Sequence, residues 1–388
     1  VACRSCVKQD LKMKIGILGG GQLAGLLAQE IKQTEDTLIV LDPGEKCPAS
    51  LMGARQVIGS PVSEQDIRIF AKQVDVLTVE LENINTEALI KLAAEGVSIV
   101  PFPETLASIK DKLLQKHCFF EAGIPTCEYF SEKQKSVDSL KELGWPLVQK
   151  SRTGGYDGRG VLIIRDESCR LDQLPEPTYF EAFVPDAIEL AVMVARNKEG
   201  EETTWEPTLL EFDRNQNILK TLYSPPILTK TILRQAKQIS IEAVRALGGI
   251  GLFGVELFLT KDDRLLINEV APRAHNSGHH TIESSETSQF LQQYNVLRSK
   301  PLSPTRSTCA AVMFNLLGEP GFEGKTVIEG MDAIDKFQNV FVHLYQKFHC
   351  SPYRKMGHIT VTGETLSIAK ELAEEIRSLV SVRGENQI

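Results

Sequence analysis

The stretch KIGILGGGQLAGLLAQEIKQ, residues 14–33, reads as strand, glycine turn and helix. Ile15, Ile17 and Leu18 make a short buried strand, and Leu23, Leu26, Leu27 and Ile31 recur at helical spacing. Three more apolar runs follow: DTLIVLDP (36–43, stopped by Pro43), VDVLTVELENI (74–84) and GVSIVPFP (96–103). Apolar strands alternating with helices predict a parallel α/β sheet that ends near residue 105. In the turn, Gly19, Gly21 and Ala24 match G-x-G-x-x-A, and Asp42 closes the next strand where a dinucleotide fold keeps its ribose-binding acid. Three readings of the turn stay open: a dinucleotide site, another phosphate held by a helix N-terminus, or a tight turn with no ligand.

Further along, SIKDKLLQKHCFFEAGIP (108–125) predicts one amphipathic helix, ended by Gly123 and Pro125. Short β-rich segments come next: CEYF, WPLVQKS, GVLIIRD, TYFEAFV and IELAVMVAR. They suggest a small antiparallel lid. Strands resume at TLLEFD (208–213), then a helix over TKTILRQAKQISIEAVRALG (229–248). FGVELFLTKDDRLLINEV (253–270) reads as two strands joined by the polar turn Lys261–Arg264. The tail predicts strands AAVMFNLLG, VFVHLYQ and MGHITVTG, then a helix, TLSIAKELAEEIRSLV. Repeats, coiled-coil heptads and low-complexity tracts are absent from the sequence.

The 388 residues are 42% apolar and 24% charged, the composition of an ordinary globular protein of two or three domains. A net charge of −8 argues against nucleic acid as a partner. No apolar run approaches the ~18 residues of a membrane helix, so no membrane association is expected. VACRSCVKQDLK has charges but no apolar core and is not a secretory signal. Residues 1–12 are expected to be a disordered, non-native or upstream leader, with Met13 the natural start. The eight cysteines, at 3, 6, 47, 118, 127, 169, 309 and 350, lack framework spacing and read as reduced thiols of a cytoplasmic protein. The Cys3/Cys6 pair alone is a weak metal or redox signal.

Three further stretches carry chemistry. In KSRTGGYDGRG (150–160) four glycines between strands make a hairpin whose amides can close over a polyphosphate, with Lys150, Arg152 and Arg159 adding charge. The P-loop order is absent. If the strands around Lys261–Arg264 pair as a hairpin, Glu256 and Glu269 lie together beside Asn268, a hard-oxygen set suited to Mg2+. Both acids facing solvent is equally compatible with the alternation. His275 and His279 have i, i+4 spacing, but Pro272, Asn276 and Gly278 argue against a helix, so zinc is not expected. In SPYRKMGHITV (351–361), Arg354 and Lys355 precede a strand and matter if the tail folds over a phosphate site.

Together, GILGGGQLAGLLA, DKLLQKHCFFEAGIPT, TGGYDGRG, EAFVPDAIELAVMVAR, NEVAPRAHNSGHHT and RKMGH resemble the ATP-grasp superfamily, and within it the N5-carboxyaminoimidazole ribonucleotide synthetases. The motifs run in the family's order over nearly the whole chain. The resemblance implies an α/β ATP-grasp architecture. Its parts would be a Rossmann-like N-terminal domain over 13–113, a small α+β lid over 114–190, and a large α+β domain over 191–388 whose C-terminal segment closes on substrate. It implies ATP and Mg2+ (or Mn2+) as cofactors, aminoimidazole ribonucleotide and bicarbonate as substrates, and a homodimer. Lys112 and Lys150 would contact ATP phosphates, covered by Gly155, Tyr156, Asp157, Gly158, Arg159 and Gly160. Glu181, Ala182, Phe183 and Val184 would hold the adenine, Glu189 the ribose, and Arg214 would lie near the nucleotide. Glu256 and Glu269 would hold the metal, with Asn268 beside them. The ribonucleotide would meet Gln22, Glu80, Tyr156, Asp157, Arg273, His275, Lys347, Arg354 and Lys355. Arg273, Asn276 and Arg159 would act in catalysis. The rivals are another ATP-grasp ligase, a dinucleotide-dependent oxidoreductase resting on the first glycine turn, and a non-catalytic nucleotide sensor.

The chain departs from the family's pattern in two places. Arg214 stands in EFDRNQNI (211–218) where a histidine is usual. SPYRK replaces RPGRK, so that Ser351 stands for an arginine and Tyr353 for a glycine.

Overall fold

Lys14–Leu18 forms β1, an inner strand of a parallel sheet ordered β3-β2-β1-β4, with β2 Thr37–Asp42, β3 Arg55–Ile58 and β4 Val76–Val79. The computed structural model describes residues 12–130, 140, 144–155, 160–168, 174–213 and 216–388. Cys3, Cys6 and all of the expected leader but Lys12 lie outside them. Side chains of opposite parity enter different cores. Ile15, Ile17, Leu38 and Val40 pack with α1 (Gln22–Ile31) and α2 (Pro48–Leu51), while Leu18, Ile39 and Leu41 pack with α3 (Glu64–Ala71) and α4 (Thr86–Ala94). A parallel sheet covered on both faces needs such continuous apolar runs. GVSIVPFP contributes a single parallel bridge, Ile99 to Leu77, rather than a full strand.

The helix predicted over 108–125 is two helices, α5 (Pro103–Lys110) and α6 (Lys112–Glu121). Asp111 separates them at φ −101°, ψ 104°, and its carboxylate accepts from Leu113 N (3.0 Å) and Leu114 N (3.4 Å). It is the N-cap of α6. The break places Lys112 on the first turn of a helix that points at the site.

The lid sheet is antiparallel, ordered β5-β8-β6-β7, from β5 (Tyr129–Phe130), β6 (Leu147–Ser151), β7 (Val161–Ile164) and β8 (Thr178–Ala182). IELAVMVAR, grouped with the lid by sequence, is instead β9 (Ile188–Arg196), in the middle of the large sheet. Leu190, Val192 and Val194 enter one core, and Met193 and Ala195 another. A strand buried on both faces carries no sign of which sheet it will join. The large sheet runs β14-β13-β9-β11-β12-β15-β19-β17, with β10 (Glu202–Thr204) beside β9. Its other strands are β11 (Thr208–Asp213), β12 (Ile218–Ser224), β13 (Gly251–Leu259), β14 (Leu265–Ala271), β15 (Ala310–Leu317), β17 (Val340–Leu344) and β19 (Lys355–Gly363). β16 (Phe322–Glu329), β18 (His349–Cys350) and β20 (Ser381–Gln387) form a separate sheet that the sequence did not announce. FEGKTVIE and SVRGENQ are polar and half-exposed, so they lack the apolar alternation that marks a strand.

On the large sheet lies α7 (Lys230–Ala246). Its stripe Ile232, Ala236, Ile239 and Ala243 packs on Leu190, Val192, Val194, Val255 and Leu257. Each large side chain buried there contributes ~1.5–3 kcal/mol. Further α-helices among the described residues are α8 (Thr281–Ser284), α9 (Gln289–Leu297), α10 (Met331–Ile334) and α11 (Leu366–Leu379). The parallel sheet is fixed to the large one. Ile15, Leu27 and Ile31 share a core with Met193, Phe290 and Tyr294. Across the same joint the Asp36 carboxylate accepts from Met13 N (2.7 Å) and Tyr294 OH (2.8 Å) and pairs with Arg298 (3.2 Å). No helix among the described residues is long and apolar enough to cross a membrane.

Candidate active site

β13 and β14 are an antiparallel hairpin in which Glu256 and Glu269 are directly opposite. The solvent-facing alternative does not hold, since the two side chains are 17% and 34% exposed. Two acids this close need counter-charge. Lys112 forms an ion pair with Glu269, and His275 Nε2 lies 3.5 Å from Glu256. Lys150, from β6, donates to Asn268 Oδ1 (2.9 Å) and pairs with Glu181. Burial pushes Glu256 above the ordinary carboxylate range, against the pull of Lys112, Lys150, Lys355 and Arg273. Lys112 is pushed down to about 8, by burial first and then by Lys150. Glu189, across from Phe258 on the paired strand, is pushed up to about 7 by burial and by Glu256. Lid, helix and hairpin thus deliver interleaved cations and acids to one floor.

The Glu181 side chain points inward, 2% exposed, between Lys150 and Lys116. Ala182, Phe183 and Val184 follow it, part-buried, at the lid's edge. Ser151 N donates to Gly160 O (2.8 Å), closing the base of the hairpin that holds Gly155. Tyr156, Asp157, Gly158, Arg159 and Arg214 lie outside the described residues. Arg152, read from sequence as charge for the hairpin, forms a forked ion pair with Asp111 instead. Its carbonyl accepts from Lys112 N (2.8 Å).

On the facing side, the glycine turn has no free anion nest. Glu80 accepts from Gly21 N (2.5 Å) and Leu23 N (2.9 Å), and Asp42 accepts from Gly20 N (3.0 Å) and Gly44 N (2.9 Å). The protein's own carboxylates thus take the donors that a phosphate would need. A Cβ at residue 21 would meet Glu80 Oε1 at 2.5 Å, so this glycine admits an internal cap. Asp42 is likewise engaged by the turn rather than presented to a ribose. What this region leaves to a ligand is the part-buried Gln22 side chain, since Glu80 is 6% exposed and spent on the turn.

Arg273 pairs with Glu82 (2.7 Å), donates to Ala274 O (3.0 Å) and lowers the charge cost of buried Glu80. Asn276 and Asn315 exchange amide hydrogen bonds of 3.0 and 2.8 Å. Buried Gln289 clamps the loop just before Asn276, accepting from His275 N and donating to His275 O, both at 2.9 Å. Lys355 sits near Glu256 and His279, and Lys347 Nζ donates to its carbonyl (2.7 Å). Arg354 is exposed and turned to His349 O (2.7 Å), outside the cluster around the acids. Tyr353 adopts φ +63°, the left-handed conformation that the glycine usual at this position takes without strain.

The ATP-grasp domain family matches residues 117–290, the ribonucleotide synthetase preATP-grasp domain 12–110, and the phosphoribosylaminoimidazole carboxylase C-terminal domain 311–372. The N5-carboxyaminoimidazole ribonucleotide synthetase of Thermotoga maritima is 39% identical with a TM-score of 0.88, over 96% of this chain and 100% of that one. The chain belongs to the N5-carboxyaminoimidazole ribonucleotide synthetase family. An Aspergillus clavatus member solved with ADP and 5-aminoimidazole ribonucleotide is 30% identical (TM-score 0.86, 95% and 98% covered). The phosphoribosylaminoimidazole carboxylase of Ogataea methanolica is 36% identical over 91% of this chain. The chain spans about two thirds of the length of such carboxylases, 67% and 64% in the first two.

Within this ATP-grasp frame, four residues that touch the assigned ones escaped the sequence reading: Asp111, Lys116, Gln289 and Asn315. Two had a usable signal. Lys116 lies one helical turn from Lys112, and Asn315 is the lone polar residue in AAVMFNLL. Gln289 had none, because its partner His275 is remote in sequence, and for Asp111 the local cap was readable but the pair with Arg152 was not.

Proposed function

We propose that this chain uses ATP to join bicarbonate to the exocyclic amine of 5-aminoimidazole ribonucleotide, giving N5-carboxyaminoimidazole ribonucleotide, ADP and phosphate, in purine synthesis. The observation that carries this is the single floor on which Lys112 and Lys150 interleave with Glu256 and Glu269, with His275 and Arg273 beside Glu256. A family member binding ADP and the ribonucleotide supports the choice of substrates. The working units are those expected from sequence, 13–113, 114–190 and 191–388, with the second boundary moved to 187/188 so that β9 stays whole in the large unit, and the protein acts as a cytoplasmic homodimer.

Bicarbonate oxygen attacks the γ-phosphorus, ADP leaves, and carboxyphosphate forms. Its carbon, transferred as carbon dioxide, then bonds to the amine, which loses a proton as phosphate departs. Such transfer needs alignment and charge neutralisation more than a nucleophilic side chain. Glu256 and Glu269, with Asn268 Oδ1 adjacent and cationic neighbours balancing them, fit Mg2+ or Mn2+, which would neutralise phosphate oxygens when bound. Lys112 exchanges Glu269, and Lys150 exchanges Glu181 and Asn268, for phosphate oxygens. Glu181, Ala182, Phe183 and Val184 line the adenine, and Glu189 accepts from the ribose hydroxyls. The hairpin 155–160, with Tyr156, Asp157 and Arg159, covers the phosphates and excludes water. Gln22, His275, Lys347 and Lys355 hold the ribonucleotide, Glu80 fixes the glycine turn beside it, Arg354 would join only by leaving His349 O, and Arg273 and Asn276 orient the bicarbonate.

The test is ADP release with bicarbonate and the ribonucleotide each withheld in turn. Release is expected to depend on both, and ATP turnover indifferent to both would contradict the proposal. Glu269→Gln and Lys150→Ala are expected to abolish turnover with unchanged circular dichroism.

A further inference from the structure

Lys116 is 1% exposed and belongs to none of the groups assigned above. Its ammonium donates to Thr126 Oγ1 (2.9 Å) and Ile267 O (3.4 Å) and lies 3.2 Å from Glu181 Oε2. Glu181 is held from its other side by Lys150 at Oε1. No well-aligned hydrogen bond reaches Oε2, so Lys116 acts on it as a charge. Ile267 precedes Asn268 and Glu269 on β14, so one buried cation touches both the lid strand and the metal-facing strand.

The proposed nucleotide site, on which this inference rests, requires Lys150 to leave Glu181 for phosphate. Without Lys116, Lys150 would be the one cation in contact with this carboxylate among the described residues, and a carboxylate 2% exposed cannot lose that cheaply. We propose that Lys116 is a positioning residue that keeps Glu181 ionised and in place, so that Lys150 can move to the nucleotide without stranding a buried anion.

The groups facing Glu181 support this. Lys116 and Lys112 approach from α6, Lys150 from β6, Tyr179 from its own strand and Cys127 from the segment before β5. β14 offers neutral Asn268 and the Ile267 carbonyl. Burial pushes the Glu181 carboxyl up, but Lys116 and Lys150 outweigh it and hold it below its ordinary value. With Lys116 neutralised and Lys150 drawn away, no cation remains in contact with this carboxyl among the described residues. It would then take a proton from solvent.

The test is MgATP affinity by isothermal titration calorimetry between pH 6 and 8, each variant read as a ratio to wild type at the same pH. Lys116→Met is expected to weaken binding about tenfold at pH 8, the gap closing by up to about tenfold per pH unit as pH falls. Binding by the variant should take up one extra proton, seen with buffers of different ionisation heat. Lys116→Met with Glu181→Gln should bind as Glu181→Gln alone does. Wild-type affinity in Lys116→Met, or a loss equal at every pH, would overturn the inference. If Lys116→Met does not fold, the Glu181→Gln pair decides: equal affinities support the role, and a further tenfold loss in the double variant refutes it. Failure of wild type to bind MgATP would instead sink the nucleotide site itself.

Discussion

Asp111 performs two separable tasks, and substitution can divide them. Its carboxylate caps α6 through Leu113 N and Leu114 N and forms the forked pair with Arg152 at the base of the lid hairpin. Losing an N-cap costs ~1 kcal/mol. A hydrogen-bonded charge pair is worth ~1.5–3 kcal/mol when sheltered. Here the side chains are 25% and 17% exposed, so solvent screening brings the pair to ~1–2 kcal/mol. Asp111→Ala should therefore destabilise by ~2–3 kcal/mol, from the sum of these two terms. Asp111→Asn keeps a competent cap and should lose only the pair, ~1–2 kcal/mol. Urea unfolding followed by ellipticity, with hydrogen exchange at α6, reads the difference. Because Lys112 N donates to Arg152 O and Lys150 lies two residues upstream of Arg152, both variants should also raise KM for ATP. Equal stability of the two variants would show that the cap contributes nothing. An alanine variant within ~0.5 kcal/mol of wild type would refute the reasoning as a whole.

Glu189, pushed up to about 7, accepts from ribose hydroxyls more strongly when ionised, so ATP affinity should fall below pH 7, and Glu189→Gln should flatten that slope. A slope unchanged in the glutamine variant would contradict the assignment. The same shift has a stability consequence: this acid holds its proton longer when folded, so its contribution is full below its ordinary 4.5 and is lost as pH rises to about 7. Asn315→Leu removes both amide bonds to Asn276 and one to Leu219 O (2.8 Å). Turnover should drop about tenfold or more while ATP affinity holds, and a parallel fall in both would place Asn276 elsewhere. Tyr353→Gly relieves a left-handed residue worth ~1–2 kcal/mol of strain, less ~0.5–1 kcal/mol of added unfolded-chain entropy. A modest rise in the unfolding midpoint is expected, and a fall would mean that the tyrosine ring outweighs its backbone.

The sequence was most informative where chemistry and periodicity coincide locally. Three of the four parallel strands followed from apolar runs split by helices, the edge strand β3 (RQVI) being too polar to show, and the Glu256–Glu269 pairing followed from a short polar turn between two strands. What it concealed is set by distant partners. Asp111 looks like an ordinary helical residue until Arg152 and two amides converge on it. β9 is apolar on both faces, so nothing in it chooses the large sheet over the lid. The first glycine turn carried a phosphate-like pattern because internal carboxylates need the same close backbone approach that a phosphate does. β16, β18 and β20 bring only Ile328, Cys350 and Val382 to a core, too few apolar positions to mark strands in the sequence.

The most direct measurement is the fate of oxygen from labelled bicarbonate during turnover with ATP and 5-aminoimidazole ribonucleotide. Attack of bicarbonate on the γ-phosphorus requires one 18O atom to appear in each phosphate released, with one ADP formed per ribonucleotide carboxylated. Phosphate free of label, in samples quenched before bicarbonate exchanges with water, would mean that bicarbonate never bonds to phosphorus in this protein.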